Sequence, residues 1–157
     1  MAVKPIPDGF HSLTPYLMIT GAKGAIEFYK QVFRATEIMR FDDPSGRIAH
    51  AEIKIGDSVL MVSDEYPEMG FKSPQTIGAS ASLTMVYLED VDACFARATA
   101  AGAKVLKPLR DEFYGDRTGT FVDPFGHLWT VATHVEDVTR EEMQRRMEKL
   151  MSKPASA

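Results

Sequence analysis

Short stretches of alternating apolar and polar residues recur along this chain, and twice the apolar spacing lengthens to three and four. Residues 13–19 (LTPYLMI) predict a strand, with Pro15 favouring an edge or a strand start. From Gly21 to Arg34, residues Ala22, Ala25, Ile26, Tyr29, Val32 and Phe33 fall on one face and predict a helix. Residues 36–41 (TEIMRF) and 47–55 (RIAHAEIKI) return to strand alternation. DDPSG (42–46) joins them as a turn in which Pro44 sets φ and Gly46 takes the positive-φ position. Gly56-Asp57 then turns the chain into 58–63 (SVLMVS).

The stretch 64–81 has no clear period and holds Pro67, Gly70, Pro74 and Gly78. The same order then restarts. Residues 82–88 (SLTMVYL) predict a strand; Asp90 N-caps a helix over Val91–Ala101, which Gly102 stops. Residues 104–113, interrupted at Pro108, then 117–122 and 127–133 predict three more strands, the last two joined by Asp123-Pro124-Phe125-Gly126. Gly46-Arg47 and Asp116-Arg117 precede matching strands, and Gly56 matches Gly126 at the hairpin turns.

The pattern is therefore strand–helix–strand–strand–strand, twice: half-modules at 12–63 and 82–134 and a linker at 64–81. Either half alone is small for an independent core, so the two are expected to pair their sheets in a single α+β domain over 1–135. A linker of this length points to a functional or crossover loop. Beyond it, 136–157 form a helix and tail. Thr139 and Glu142 fit a capping box, and Val138 with Met143 a hydrophobic staple. Met143, Met147, Leu150 and Met151 make a narrow stripe suited to packing on a partner subunit or the parent sheet, and SKPASA reads as frayed.

Composition narrows the function classes. The formal net charge of −4 leaves no basic surplus for phosphate contacts, so nucleic acid is not an expected partner. No apolar run reaches the length of a membrane span or a signal peptide, and a cytoplasmic protein is expected. The single cysteine, Cys94, excludes an internal disulfide and a cysteine zinc cluster.

AIEFYKQVF (25–33), HAEIKIGDSVLM (50–61), EDVDACFARATAAGA (89–103) and GTFVDPFGHLWTVAT (119–133) resemble the glyoxalase/bleomycin resistance/dioxygenase (vicinal oxygen chelate) superfamily, and within it the PhnB-like branch. The resemblance implies a duplicated βαβββ fold, a cupped mixed sheet around a cleft, and a homodimer. It does not imply one activity, because this scaffold carries lyases, isomerases, dioxygenases and drug-binding proteins. Metal-dependent members place a His or Glu on the first and last strand of each half. Here those positions fall near Thr14, at Leu60 or Met61, at Ser82 or Leu83, and at Thr130; none is His, Asp, Glu or Cys. No cofactor is therefore expected; a divalent metal would need ligands other than these.

Several other residues carry candidate chemistry. His50, Glu52 and Lys54 share one strand face, opposite Ala49, Ala51, Ile53 and Ile55, which should pack on a helix; His50 and Glu52 are candidate acid and base. Tyr114 and Arg117 could clamp a substrate carboxylate or phosphonate, or Arg117 could simply close a loop by pairing with Asp111, Asp116 or Asp123. Tyr16 and Trp129, with Thr130, are candidates to line a ligand cup. His127 and Trp129 share one face and Thr130 lies on the other, so the hairpin histidines are not expected to be the chemistry. Two readings remain. One is a metal-independent protein binding a small organic molecule in a homodimer cleft. The other is a lyase, isomerase or dioxygenase using an unmatched metal site or His50 and Glu52.

Overall fold

The computed structural model describes residues 3–152. The first module is β1 (Tyr16–Ile19), α1 (Ala22–Phe33), β2 (Thr36–Asp42), β3 (Ile48–Ile55) and β4 (Ser58–Asp64). The linker contains a 3-10 turn (Pro67–Met69) and a one-turn helix, α2 (Pro74–Ile77). The second module is β5 (Leu83–Tyr87), α3 (Val91–Ala100), β6 (Lys104–Asp111), β7 (Asp116–Val122) and β8 (Leu128–His134); α4 (Arg140–Met151) follows. Each module is a mixed four-stranded sheet, ordered β1-β4-β3-β2 and β5-β8-β7-β6. In each, the first strand runs parallel to the last and the rest are antiparallel. This is the predicted α+β duplication.

The expected pairing of the two sheets does not occur: they share no ladder and are joined through helix faces instead. Ala51, Ile53, Leu60 and Val62 of the first sheet pack with α1, and α1 carries Tyr29 and Phe33 across to the second sheet. There the Phe33 and Trp129 rings lie 4.7 Å apart between centroids, and Tyr29 and Trp129 5.3 Å. Arg97 of α3 donates to the Val32 carbonyl at the end of α1 at 2.9 Å. Cys94 is buried between the helices, and burial pushes its thiol up to about 11, which suits an inert packing residue. The result is one continuous core.

Carboxylates hold the connections. Asp64, at the end of β4, accepts from the Gly21 and Ala22 amides at 3.0 and 2.9 Å and so caps α1 from outside the helix. Glu65 accepts from the Ser73 amide (2.9 Å) and from Thr76 (2.7 Å) and Thr20 (3.0 Å) hydroxyls, which hold it down at about 2. The linker is thus an ordered crossover. It also seats the second hairpin: Gln75 donates to the Pro124 carbonyl at 3.0 Å, and a Cβ on Gly126 would stand 3.0 Å from Pro74.

The hairpin itself is structural. Asp123 is buried and accepts four hydrogen bonds: Phe125 and His127 amides (2.9 Å each) on one oxygen, Tyr29 hydroxyl (2.8 Å) and Trp129 indole N–H (2.9 Å) on the other. The Tyr29 bond joins the modules. The His127 Nε2–H donates to the Met18 carbonyl at 3.1 Å, and burial lowers its pKa, so the ring is a neutral tether between β8 and β1.

At α4, Thr139 caps the Glu142 amide at 3.2 Å as expected. The reciprocal half of the capping box is absent: the Glu142 carboxylate accepts instead from Arg145 and Arg146, each at 2.8 Å. Met147, Leu150 and Met151 remain exposed, so the parent sheet does not take up this stripe. Residues 153–157 of the tail expected to fray lie outside the described residues.

Candidate functional site

Each sheet turns one face to the helices and leaves the other open. On the first, Ala51, Ile53 and Ile55 point inward, which sends His50, Glu52 and Lys54 outward. Ladder register adds their neighbours: Met61 and Met39 lie opposite Glu52, Phe41 opposite His50, and Tyr16 opposite Met61. Tyr16, Met39 and Phe41 are 43, 39 and 59% exposed. An apolar, solvent-facing surface therefore surrounds a polar centre.

That centre is a chain of three groups. The Tyr16 hydroxyl lies 2.9 Å from His50 Nδ1, with the rings edge to face at 5.5 Å, and His50 Nε2 lies 3.3 Å from Glu52. An ionised Glu52 only accepts, so Nε2 carries the hydrogen. In the neutral ring Nδ1 is then an acceptor, and Tyr16 donates to it. Sequence parity placed His50 and Glu52 together; Tyr16 joins them only through the parallel β1–β4 pairing.

The second open face also combines a phenol, an imidazole and a carboxylate, in a different order. Asp116 is buried and accepts from Tyr87 hydroxyl at 2.8 Å and from His134 Nδ1 at 2.7 Å; His134 Nε2 reaches Asp137 at 3.0 Å. Asp116 and then Asp137 raise the His134 pKa. Thr130 is on this face, 2.9 Å from the Thr120 hydroxyl. Tyr114 stands nearby; burial, followed by Glu112 and Asp116, raises its phenol. This cluster was not anticipated, because it unites β5, β7, β8 and the strap before α4.

Two candidate residues do not line either open face. Arg117 lies opposite Thr133 on the helix side, where it donates to both Asp92 oxygens at 2.8 Å and to Asp111 at 3.0 Å. It is the closing ion pair, and its guanidinium is occupied by two carboxylates. Trp129 is 1% exposed and faces the core. Only its edge reaches a crevice of about 590 Å³ between the first hairpin tip and β5, shared with Leu60 and Val86.

Near the four sequence positions named above, the open faces present Tyr16, Met61, Met85 and Thr130. Pro15 cannot donate to a ladder, so β1 starts at Tyr16, and Thr14 precedes the sheet. Tyr16 faces Met61, and Met85 faces Thr130. A phenol, two thioethers and a hydroxyl do not form the imidazole and carboxylate set a divalent ion needs. Among the described residues no group of three or more His, Cys, Asp or Glu is arranged to hold a metal. Nor is any helix among them long and apolar enough to cross a membrane.

The chain is 39% identical over 139 residues to an uncharacterised protein of Mycobacterium bovis, covering 87% of this chain and 91% of that one. Among solved structures, TioX from Micromonospora sp. ML1 is similar with TM-score 0.61 and 29% identity, over 80% of this chain and 99% of that one. The PhnB protein of Bacillus cereus shares the fold with TM-score 0.61 and 23% identity, over 78% and 99%. Residues 12–131 match the glyoxalase/bleomycin resistance protein/dioxygenase superfamily, and the chain belongs to that family.

Proposed function

We propose that the protein binds a small organic molecule on the open face of its first module, without a metal, and that it does so as a homodimer in the cytoplasm. The observation that carries this is the pairing of Tyr16, Met39 and Phe41, all exposed, with a buried-edge polar pair, His50 and Glu52. Ligand sites combine such apolar area with few orienting polar groups. The non-ligating character of Tyr16, Met61, Met85 and Thr130 supports the metal-free reading. The likeness to the Bacillus cereus PhnB protein supports placing the chain in the PhnB-like branch. Exposed Phe41, Leu83, Met85, Tyr87 and Leu106 support a dimer, since monomers rarely leave so much apolar surface on sheet faces and edges.

Three measurements test it. Protein purified without chelator should carry no stoichiometric zinc, iron, manganese or nickel, and planar aromatic compounds should raise its melting temperature. Stoichiometric metal that is lost on His50→Ala would overturn the metal-free reading. Sedimentation should give a dimer at micromolar concentration; a monomer there removes the dimer.

A further inference from the structure

We infer that Tyr16 is the reactive phenol of this chain, a nucleophile toward small activated acyl donors such as aryl esters, with His50 taking its proton and Glu52 holding His50. The inference rests on reading the first open face as the ligand face.

Comparison of the five tyrosines carries it. Tyr29 donates to Asp123, Tyr66 to Asp43 and Tyr87 to Asp116, at 2.8, 3.0 and 2.8 Å. A carboxylate beside a phenol keeps the proton on it, because phenolate and carboxylate repel; burial and then the carboxylate raise Tyr29 and Tyr66, Asp116 and then burial raise Tyr87, and burial and then Glu112 raise Tyr114. Tyr16 alone has an imidazole nitrogen as partner, at 2.9 Å. A neutral imidazole can accept the proton, and the resulting imidazolium faces Glu52. Tyr16 lies opposite Met61, and its partner His50 lies opposite Phe41; these apolar neighbours suit an aryl group.

The step balances without a further reagent. The Tyr16 oxygen forms a bond to the acyl carbon while the ester C–O bond breaks, and the aryloxide leaves with the bonding pair. The phenol proton passes to His50 Nδ1 and from there to solvent. The product is an O-acyl tyrosine.

The test treats the full-length protein with p-nitrophenyl acetate, follows nitrophenolate release, and maps the acetyl group by peptide mass spectrometry. Acetylation should fall on Tyr16 ahead of the other four tyrosines. His50→Gln should slow it by at least about tenfold, with Glu52→Gln slowing it less. Tyr16→Phe should abolish the fast phase, and circular dichroism should be unchanged in all three variants. Acetyl groups on lysines alone, or spread evenly over the tyrosines, overturn the inference. So does a Tyr16 rate that His50→Gln leaves unchanged. Binding of planar aromatics without Tyr16 acylation would remove this inference and leave the proposed function standing; acylation without such binding would do the reverse.

Discussion

The two open faces carry the same three chemical groups, a phenol, an imidazole and a carboxylate, with a different one at the centre. On the first, imidazole sits in the middle: Glu52, His50, Tyr16. On the second, carboxylate sits in the middle: Tyr87, Asp116, His134. A central imidazole has one side that gives and one that takes, so a proton can move along the chain. A central carboxylate only accepts, so both neighbours donate into it and are fixed there. Asp116 is buried, whereas Tyr16 is well exposed. The two faces thus differ in what sits at the centre: a part-exposed imidazole on the first and a buried carboxylate on the second.

Removing what both faces depend on should have the largest effect. Asp123→Ala leaves the buried Tyr29 hydroxyl and Trp129 indole without an acceptor, and should cost about 3–5 kcal/mol in urea denaturation. Next, Asp116→Ala should cost about 1–2 kcal/mol, because its two donors are partly exposed and recover some hydration. Glu52→Gln on the other face should stay within about 0.5 kcal/mol, and equal losses for the two would erase the distinction drawn here.

A smaller effect separates the faces by pH. The folded pKa of His134 is raised by Asp116 and Asp137 above the ordinary value of about 6.5. Its contribution is therefore fully present below about pH 6.5 and is lost as pH climbs through the raised folded value. The melting temperature should fall across that window, and His134→Gln should flatten the fall. An unchanged slope in the variant would mean that the Asp116–His134 pair is not what the second face uses.

Much of this architecture was legible from periodicity. Alternation sent Ala51 and Ile53 to a helix and His50 and Glu52 away from it, and the structure agrees. The same parity, followed along β7, would have put Arg117 with Gly119 and Phe121, on the core side. Trp129 and Thr130, neighbours on one strand, face opposite ways, and it is Thr130 that lies on the open face while Trp129 is buried. What parity cannot supply is register between strands. Tyr16 meets His50, and Tyr87 meets Asp116, only after strand pairing fixes which residues lie side by side. The joining of the modules through α1 rather than through their sheets was also beyond periodicity, since it depends on Tyr29 and Phe33 reaching the second sheet.

The central claim is that the first open face, and not the second, takes a small molecule without metal. Calorimetric titration of a planar aromatic compound in the presence of chelator tests it most directly, using the wild-type chain, Phe41→Ala and Tyr87→Ala. The account predicts saturable binding that Phe41→Ala weakens by roughly tenfold and Tyr87→Ala leaves within about twofold. Binding that disappears with chelator, or that follows Tyr87 and ignores Phe41, would contradict it.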